Sequence, residues 1–251
     1  MEFATLNNGV KMPMAGIGTF LLSPDEAEAS VLSALECGYR LIDTANAYVN
    51  EKAVGRAMKK SGVPREEIFL ETKLWPSFYE QEDAVEKTLA RLDTDYIDLL
   101  LIHQPAGKYV AGYQLMEKEL KELLAKEGIV IQAWYPLGHG DKTLIEEPEF
   151  AKLGKKYNKS NAQIILRWHI QDGNVVIPGS KNPAHIKDNF DLFDFELTEE
   201  EMKEVADIDQ KKRYYHSTPE MLKQYVKMVP PVDEQKIIIS PQIDGYKTIP
   251  L

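Results

Sequence analysis

GYRLIDTANAYVNEKAVG, residues 38–55, is the stretch on which the reading of the fold turns. YRLIDTA (39–45) is an apolar run of buried-strand type, and NEKAVGRAMKKSG (50–62) is a helical segment closed by glycine. A strand that passes through a short turn into a helix is one βα unit, and the same unit recurs on both sides. Upstream, GIGTF (16–20) is a short strand, followed by a helix that starts at Ser23-Pro24-Asp25-Glu26 and ends at Gly38. Its acidic residues sit at the positive end of the helix dipole. Downstream come IFLETKL (68–74) with a helix through about Arg91, and YIDLLLIH (96–103) with a helix from about Tyr113 to Lys126. IVIQAWYPL (129–137) leads into a longer helical region ending in AQIILRWHIQDG (162–173). VVIPGS (175–180) leads into NPAHIKDNFDLF (182–193), and one more helix runs from Thr198 through Ile208.

Ahead of these units FATL (3–6), the turn signal Asn8-Gly9 and VKMPM (10–14) predict an N-terminal β-hairpin. The strands are continuous apolar runs, as a parallel sheet covered by helices requires. The predicted class is therefore α/β with right-handed crossovers. Residues 1–210 form one domain in this reading, and 211–251, polar and proline-rich, form a surface tail over or beside it.

Composition agrees with one globular unit. The chain has 251 residues, 43% hydrophobic and 28% charged, which excludes disorder, collagen and membrane spans. An α/β barrel of roughly 250 residues is a single domain. Cys37 is the only cysteine, so no intrachain disulfide exists, and a reducing compartment follows. MEFATLNNGVKMP has neither a basic nor an apolar leader region, so a cytoplasmic location is expected. The longest strongly apolar run, IDLLLI (97–102), is far below the ~20 residues that cross a bilayer. A net charge of −10 repels nucleic acid but leaves room for a small anionic cofactor.

Asp43, Lys73 and His103 stand at or near the carboxyl ends of three successive strands, one βα unit apart. In a barrel that spacing brings all three to the C-terminal mouth, and Tyr48 lies in the loop over the same mouth. Singly each has an ordinary role: Asp43 as a turn or cap residue, His103 as a core histidine, Tyr48 as a rim aromatic. Lys73 is different, because an ammonium beside a buried strand needs an anionic partner, and Asp43 is on the next strand. Together, an ammonium held by a carboxylate stabilises phenolate and lowers the pKa of Tyr48 from about 10. Such a tyrosine can protonate a carbonyl oxygen while hydride reaches the carbon, with His103 orienting the same oxygen. No metal-ligand spacing occurs among the five histidines and single cysteine.

The segment 38–55, with ETKLW (71–75) and LLIHQP (100–105), closely resembles the aldo-keto reductases, nearest to their diketogluconate-reductase-like branch. Resemblance continues through QAWYPLG (132–138), NAQIILRW (161–168) and residues 175–197. It implies a (β/α)8 TIM-type barrel that reduces small-molecule carbonyls with NADPH. It implies Tyr48 as proton donor, Asp43 and Lys73 as its tuning pair, and His103 as the orienting residue. Gly18, Thr19 and Asp43 match positions near the cofactor, and Trp134 matches the aromatic that stacks on the nicotinamide. Leu137, Ser180, Lys181, Asn182, His185 and Asn189 match the remaining cofactor-binding positions. Phe20 and Trp75, with His103, would line an apolar substrate pocket. The family is expected to be monomeric.

Two departures change those expectations. The family's Ile-Pro-Lys-Ser, with arginine five residues after the serine, is here Ile177-Pro178-Gly179-Ser180 with His185. Two positive charges for a 2′-phosphate are absent, with Lys181, Asn182 and His185 as partial replacements, so use of NADH as well as NADPH is expected. Also absent are two central strands, with the Ser-Asn pair and Gln that would hold the nicotinamide amide. The chain passes from IHQP to IVIQAW through one helix, whose Met116, Leu120, Leu123 and Leu124 share a face. Six βα units make an incomplete barrel of expected low activity, in which either two strands meet across the gap or two edges stay open to self-association. Two alternatives stay open: a catalytically impaired binding paralogue, and a deletion variant of such a reductase.

Overall fold

The computed structural model describes residues 1–6, 9–78, 81, 83–104, 131–138, 142–209 and 218–233. Asn8 of the hairpin turn, the helix expected over 113–126 and residues 211–217 and 234–251 lie outside the described residues.

The hairpin is β1 (Phe3–Thr5) paired antiparallel with β2 (Lys11–Pro13), with Gly9 at φ +82° in the turn. Four parallel strands follow in sheet order: β3 (Gly16–Gly18), β4 (Leu41–Asp43), β5 (Phe69–Leu74) and β6 (Leu99–Ile102). Two more, β7 (Ile131–Ala133) and β8 (Asn174–Val176), pair parallel with each other. β8 meets the start of β3 through an Ala15–Val176 bridge, in which Val176 N–H donates to the Met14 carbonyl at 2.9 Å. The strand order is therefore β7-β8-β3-β4-β5-β6. Among the described residues the six parallel strands fall where the six units are expected from sequence, no pairing joins β6 to β7, and the sheet does not close into a barrel.

Strand alternation assigns the side chains to two layers. Ile17, Ile42 and Leu70 point outward into a core shared with α1 (Pro24–Glu36) and α2 (Glu51–Ser61), through Val31, Leu35, Val54 and Met58. Leu41 and Phe69 point inward and pack with Val175, Met12 and Met14, so the hairpin closes the N-terminal end of the strands. Asp43, Glu71 and Lys73 have the inward parity too, and stand further toward the C-terminal end.

Further helices among the described residues are α3 (Ala84–Leu92), α4 (Lys142–Ile145), α5 (Pro148–Tyr157), α6 (Asn161–Gln171), α7 (Pro183–Phe190) and α8 (Glu199–Ala206), with one more beyond residue 217. Capping boxes at Ser23–Glu26, Ser160–Gln163 and Thr198–Glu201 set three of the starts. The long helical region expected before Gly173 is broken into three pieces. Between α5 and α6, Asn158 takes a left-handed conformation and Ser160 starts a new helix.

The segment read as a surface tail contains α9 (Pro219–Lys227), whose Tyr225 is buried with Val232 against Trp75 and Phe78. A few apolar residues on an otherwise polar helix are enough to dock it. No helix among the described residues is long and apolar enough to cross a membrane.

Candidate active site

β4 ends on Asp43 and the chain passes within three residues into a short 3-10 turn, Asn46–Tyr48. Two buried asparagines hold this turn. Asn46 Oδ1 accepts from Trp75 N–H at 3.0 Å, and Asn50 Nδ2 donates to the carbonyls of Thr19 and Leu22 at 2.9 and 3.0 Å. Thr19 Oγ1 donates to the Asp43 carbonyl at 3.1 Å, so β3, β4 and the turn form one rigid rim.

Lys73 projects from β5 into this rim. Its ammonium pairs with the Asp43 carboxylate, donates to the Thr44 carbonyl at 3.0 Å, and lies 5.3 Å from the centre of the Tyr48 ring. His103, just past β6, presents its ring edge-on to Tyr48 at 5.4 Å and to Trp75 at 5.0 Å between centroids. Burial, reinforced by the Lys73 charge, pushes the His103 imidazole down to about 3, so the ring is neutral at pH 7. Its Nδ1 is buried with no hydrogen-bond partner.

Aromatic rings continue around the opening. Phe20 packs on Tyr48 at 4.9 Å and on Tyr135 at 5.9 Å, and Trp134 lies 4.1 Å from Tyr135 with 45% of its surface exposed. Tyr135 has φ +52°, so the chain bends sharply as it leaves β7, and the strand is shorter than the run IVIQAWYPL suggests. Trp75 is only 5% exposed, and its indole N–H donates to the carbonyls of Tyr225 and Met228 at the end of α9.

The residues expected at the phosphate end stand at the junction of β3, β8 and α7. Gly18 N–H donates to the Pro178 carbonyl at 3.4 Å, and a Cβ on Gly179 would come within 2.9 Å of the Gly18 carbonyl oxygen. Glycine at both positions lets the two backbones touch. Ser180 Oγ accepts from Asn182 N–H at 3.1 Å, and Asn182 caps α7 by accepting from Ala184 N–H at 3.0 Å. Asn189 is buried, Leu137 half-buried and His185 exposed. The Lys181 ammonium pairs with Glu26 of α1 at 3.1 Å, and the Ser23 N–H, with this pairing, holds the Glu26 carboxyl below the usual range.

Asp43, Tyr48, Lys73, His103, Phe20 and Trp75 are thus brought together at one mouth. Trp134 stands outside this group and connects to it through Tyr135 and Phe20. Sequence reading passed over Glu71 and Gln132, whose side chains are hydrogen-bonded at 2.9 Å beneath Lys73. The available signal was parity, since Glu71 precedes Lys73 by two residues on one strand.

The profile of the Aldo/keto reductase family matches residues 14–123 and 109–210. The chain belongs to this family. An aldo-keto reductase of Mycolicibacterium smegmatis is 36% identical over 260 positions, covering 83% of this chain and 94% of that protein. Methylglyoxal reductase DkgA of Yersinia pestis is 35% identical, with 83% and 93% covered. Among solved structures, an aldo/keto reductase from Brucella melitensis superposes with a TM-score of 0.74 at 36% identity, covering 82% of this chain and 99% of that one. MGS-M4, an aldo-keto reductase enzyme from a Medee basin deep-sea metagenome library, gives 0.77 at 34% identity, covering 85% and 97%.

This aldo/keto reductase is accordingly an oxidoreductase of small-molecule carbonyl compounds, in a family that uses NAD(P)H. The residues present fit such a dinucleotide. The buried, unpartnered Nδ1 of His103 and the half-exposed Trp134 ring stand at an aromatic-lined opening, and the touching glycines leave the β3–β8 junction bare of side chains.

Proposed function

We propose that the chain reduces aldehydes or ketones to alcohols with Tyr48 as proton donor, Asp43 and Lys73 as its tuning pair and His103 as the orienting residue. The observation that carries this is the Lys73 ammonium, held by the buried Asp43 carboxylate and standing 5.3 Å from the Tyr48 ring. A cation fixed there favours the phenolate left after the proton is given up, so the transfer costs less. His103, being neutral, contributes one ring N–H as a hydrogen-bond donor and does not serve as the acid. Phe20 and Trp75 wall the substrate and keep water from the reacting oxygen.

NADPH or NADH, when bound, supplies the hydride. Trp134, Leu137, Gly18 and Thr19 would hold the nicotinamide end, and Ser180, Asn182, His185 and Asn189 the adenosine end. The lost lysine and arginine positions, and the diversion of Lys181 to Glu26, favour use of both dinucleotides. Residues 1–210 form the catalytic domain in this reading, with 211–251 over or beside it.

Turnover is expected to be slow. The alignment with the mycobacterial relative takes in 260 positions but only 83% of a 251-residue chain, which supports a missing central segment. The lack of a β6–β7 pairing among the described residues supports the same reading, and a nicotinamide without its amide anchors is held loosely. That pairing gap is also what favours the second reading, an impaired binding paralogue.

Methylglyoxal is a suitable test substrate, given the name of the Yersinia relative. Tyr48→Phe should lower its reduction by about a hundredfold or more, the scale of general acid catalysis. A Tyr48→Phe protein that keeps the parent rate rules the assignment out. Trp134 fluorescence left unquenched by both NADH and NADPH would favour the impaired paralogue, which keeps the mouth but cannot hold the cofactor.

A further inference from the structure

Lys73 has a second carboxyl beside it that the reduction scheme leaves unused. Glu71 lies two residues earlier on β5, on the same inward face, and is fully buried. Its Oε1 accepts from Gln132 Nε2 at 2.9 Å and stands 4.0 Å from Lys73 Nζ. Its Oε2 is buried without a partner. From β4 the neighbour in register is Asp43 and from β6 it is Leu99, while Gln132 reaches it from β7 by its side chain. Among the described residues, Asp43 and Lys73 are the charged groups that face it.

We propose that Glu71, held by Gln132 from β7, is a positioning residue of the reductase site that acts on Tyr48 through Lys73. The inference rests on the reading of Tyr48 as proton donor. As a neutral carboxyl, Glu71 leaves the ammonium with one counter-charge, Asp43, and the field of Lys73 reaches the phenol undiminished. As a carboxylate, it adds a second negative charge within 4.0 Å of the same ammonium, which offsets that field and keeps the proton on Tyr48. Burial first, and then the Asp43 carboxylate, push Glu71 up to about 8, while Lys73 and the Gln132 amide oppose the shift. The switch therefore falls just above neutral pH, and the proton it releases goes to solvent.

The test is the pH profile of methylglyoxal reduction by NADPH for the parent, Glu71→Gln and Gln132→Leu. Reduction declines at the alkaline end where Tyr48 loses its proton. Glu71→Gln cannot add the protecting negative charge, so its decline shifts to lower pH. Gln132→Leu, which delays ionisation of Glu71, shifts it the same way by less. An alkaline limb that stays put in Glu71→Gln, or moves to higher pH, overturns the proposal.

A carbon-13 titration of glutamate-labelled parent protein gives a readout independent of activity and of variant folding. One carboxyl should titrate near pH 8, and its absence above pH 7 also overturns the proposal. If Tyr48→Phe retains reduction, the proton-donor reading fails, while the carbon-13 titration still reports on Glu71.

Discussion

His103 shows how far a single side chain depends on its surroundings. An imidazole in water titrates near 6.5, but burial beside the Lys73 ammonium pushes this one down to about 3. Methylglyoxal reduction should therefore show no acid limb from His103 between about pH 5 and 7. A pH–rate profile falling through one ionisation near 6.5, absent in His103→Gln, would contradict this. The stability linkage has a definite sign. As pH falls below about 6.5, unfolded His103 takes up a proton that the folded state refuses until about 3, so stability is lost across that window. Glu71 acts in the opposite direction. Its unfolded carboxyl ionises above about 4.5 and the folded one only near 8, so stability falls as pH rises between them. The spacing of Asp43, Lys73 and His103 was legible because each closes a strand of one repeating unit. Glu71 was not, since a glutamate in ETKLW looks like any solvated acid until strand parity turns it inward.

In the proposed reading, the segment joining β8 to α7 sets the choice of dinucleotide. Gly179 stands where the family has lysine, and its backbone is pressed against Gly18, so a side chain would meet the carbonyl at 2.9 Å. Lys181, two residues further on, is paired with Glu26. Dissociation constants for NADPH and NADH should accordingly differ by less than about a hundredfold, since charge-assisted bonds to the 2′-phosphate are lost. Glu26→Gln keeps the capping geometry of α1 but frees Lys181, and should tighten NADPH without changing NADH. A parent preference for NADPH beyond a hundredfold refutes the idea. α9 makes a different point at this scale. Thr218 and Pro219 are ordinary helix-start signals, with the Thr218 side chain accepting from Met221 N–H. The stretch is too short and too polar for periodicity to reveal it. It becomes an element by docking, where Tyr225 packs on Trp75 and two carbonyls satisfy a buried indole N–H.

At the scale of the molecule, the six parallel strands of the described residues, linked through the Ala15–Val176 bridge, curve enough that Leu99 of β6 and Ala133 of β7 share one interior core. Gln132 reaches Glu71 across the same interior. Side chains thus span the opening, while the edges of β6 and β7 form no backbone pairing among the described residues. Unpaired parallel edges seek partners, so light scattering on a size-exclusion column should show mass above the 28.6 kDa monomer as concentration rises. A strict monomer at all concentrations would show that the edges are covered. The sequence by itself determined the order of strands and helices, the family, and the four polar residues at the mouth. The elements and the mouth residues follow from local periodicity and from a spacing that selects one end of the strands, and the family from the resemblance carried by segments such as 38–55. Tertiary structure alone decided the buried carboxyl under Lys73, the neutral state of His103, the capture of Lys181 by Glu26 and the docking of α9. Each depends on which groups meet across elements far apart in the chain, and on how much water is excluded when they do. Neither quantity is written in any local stretch of residues.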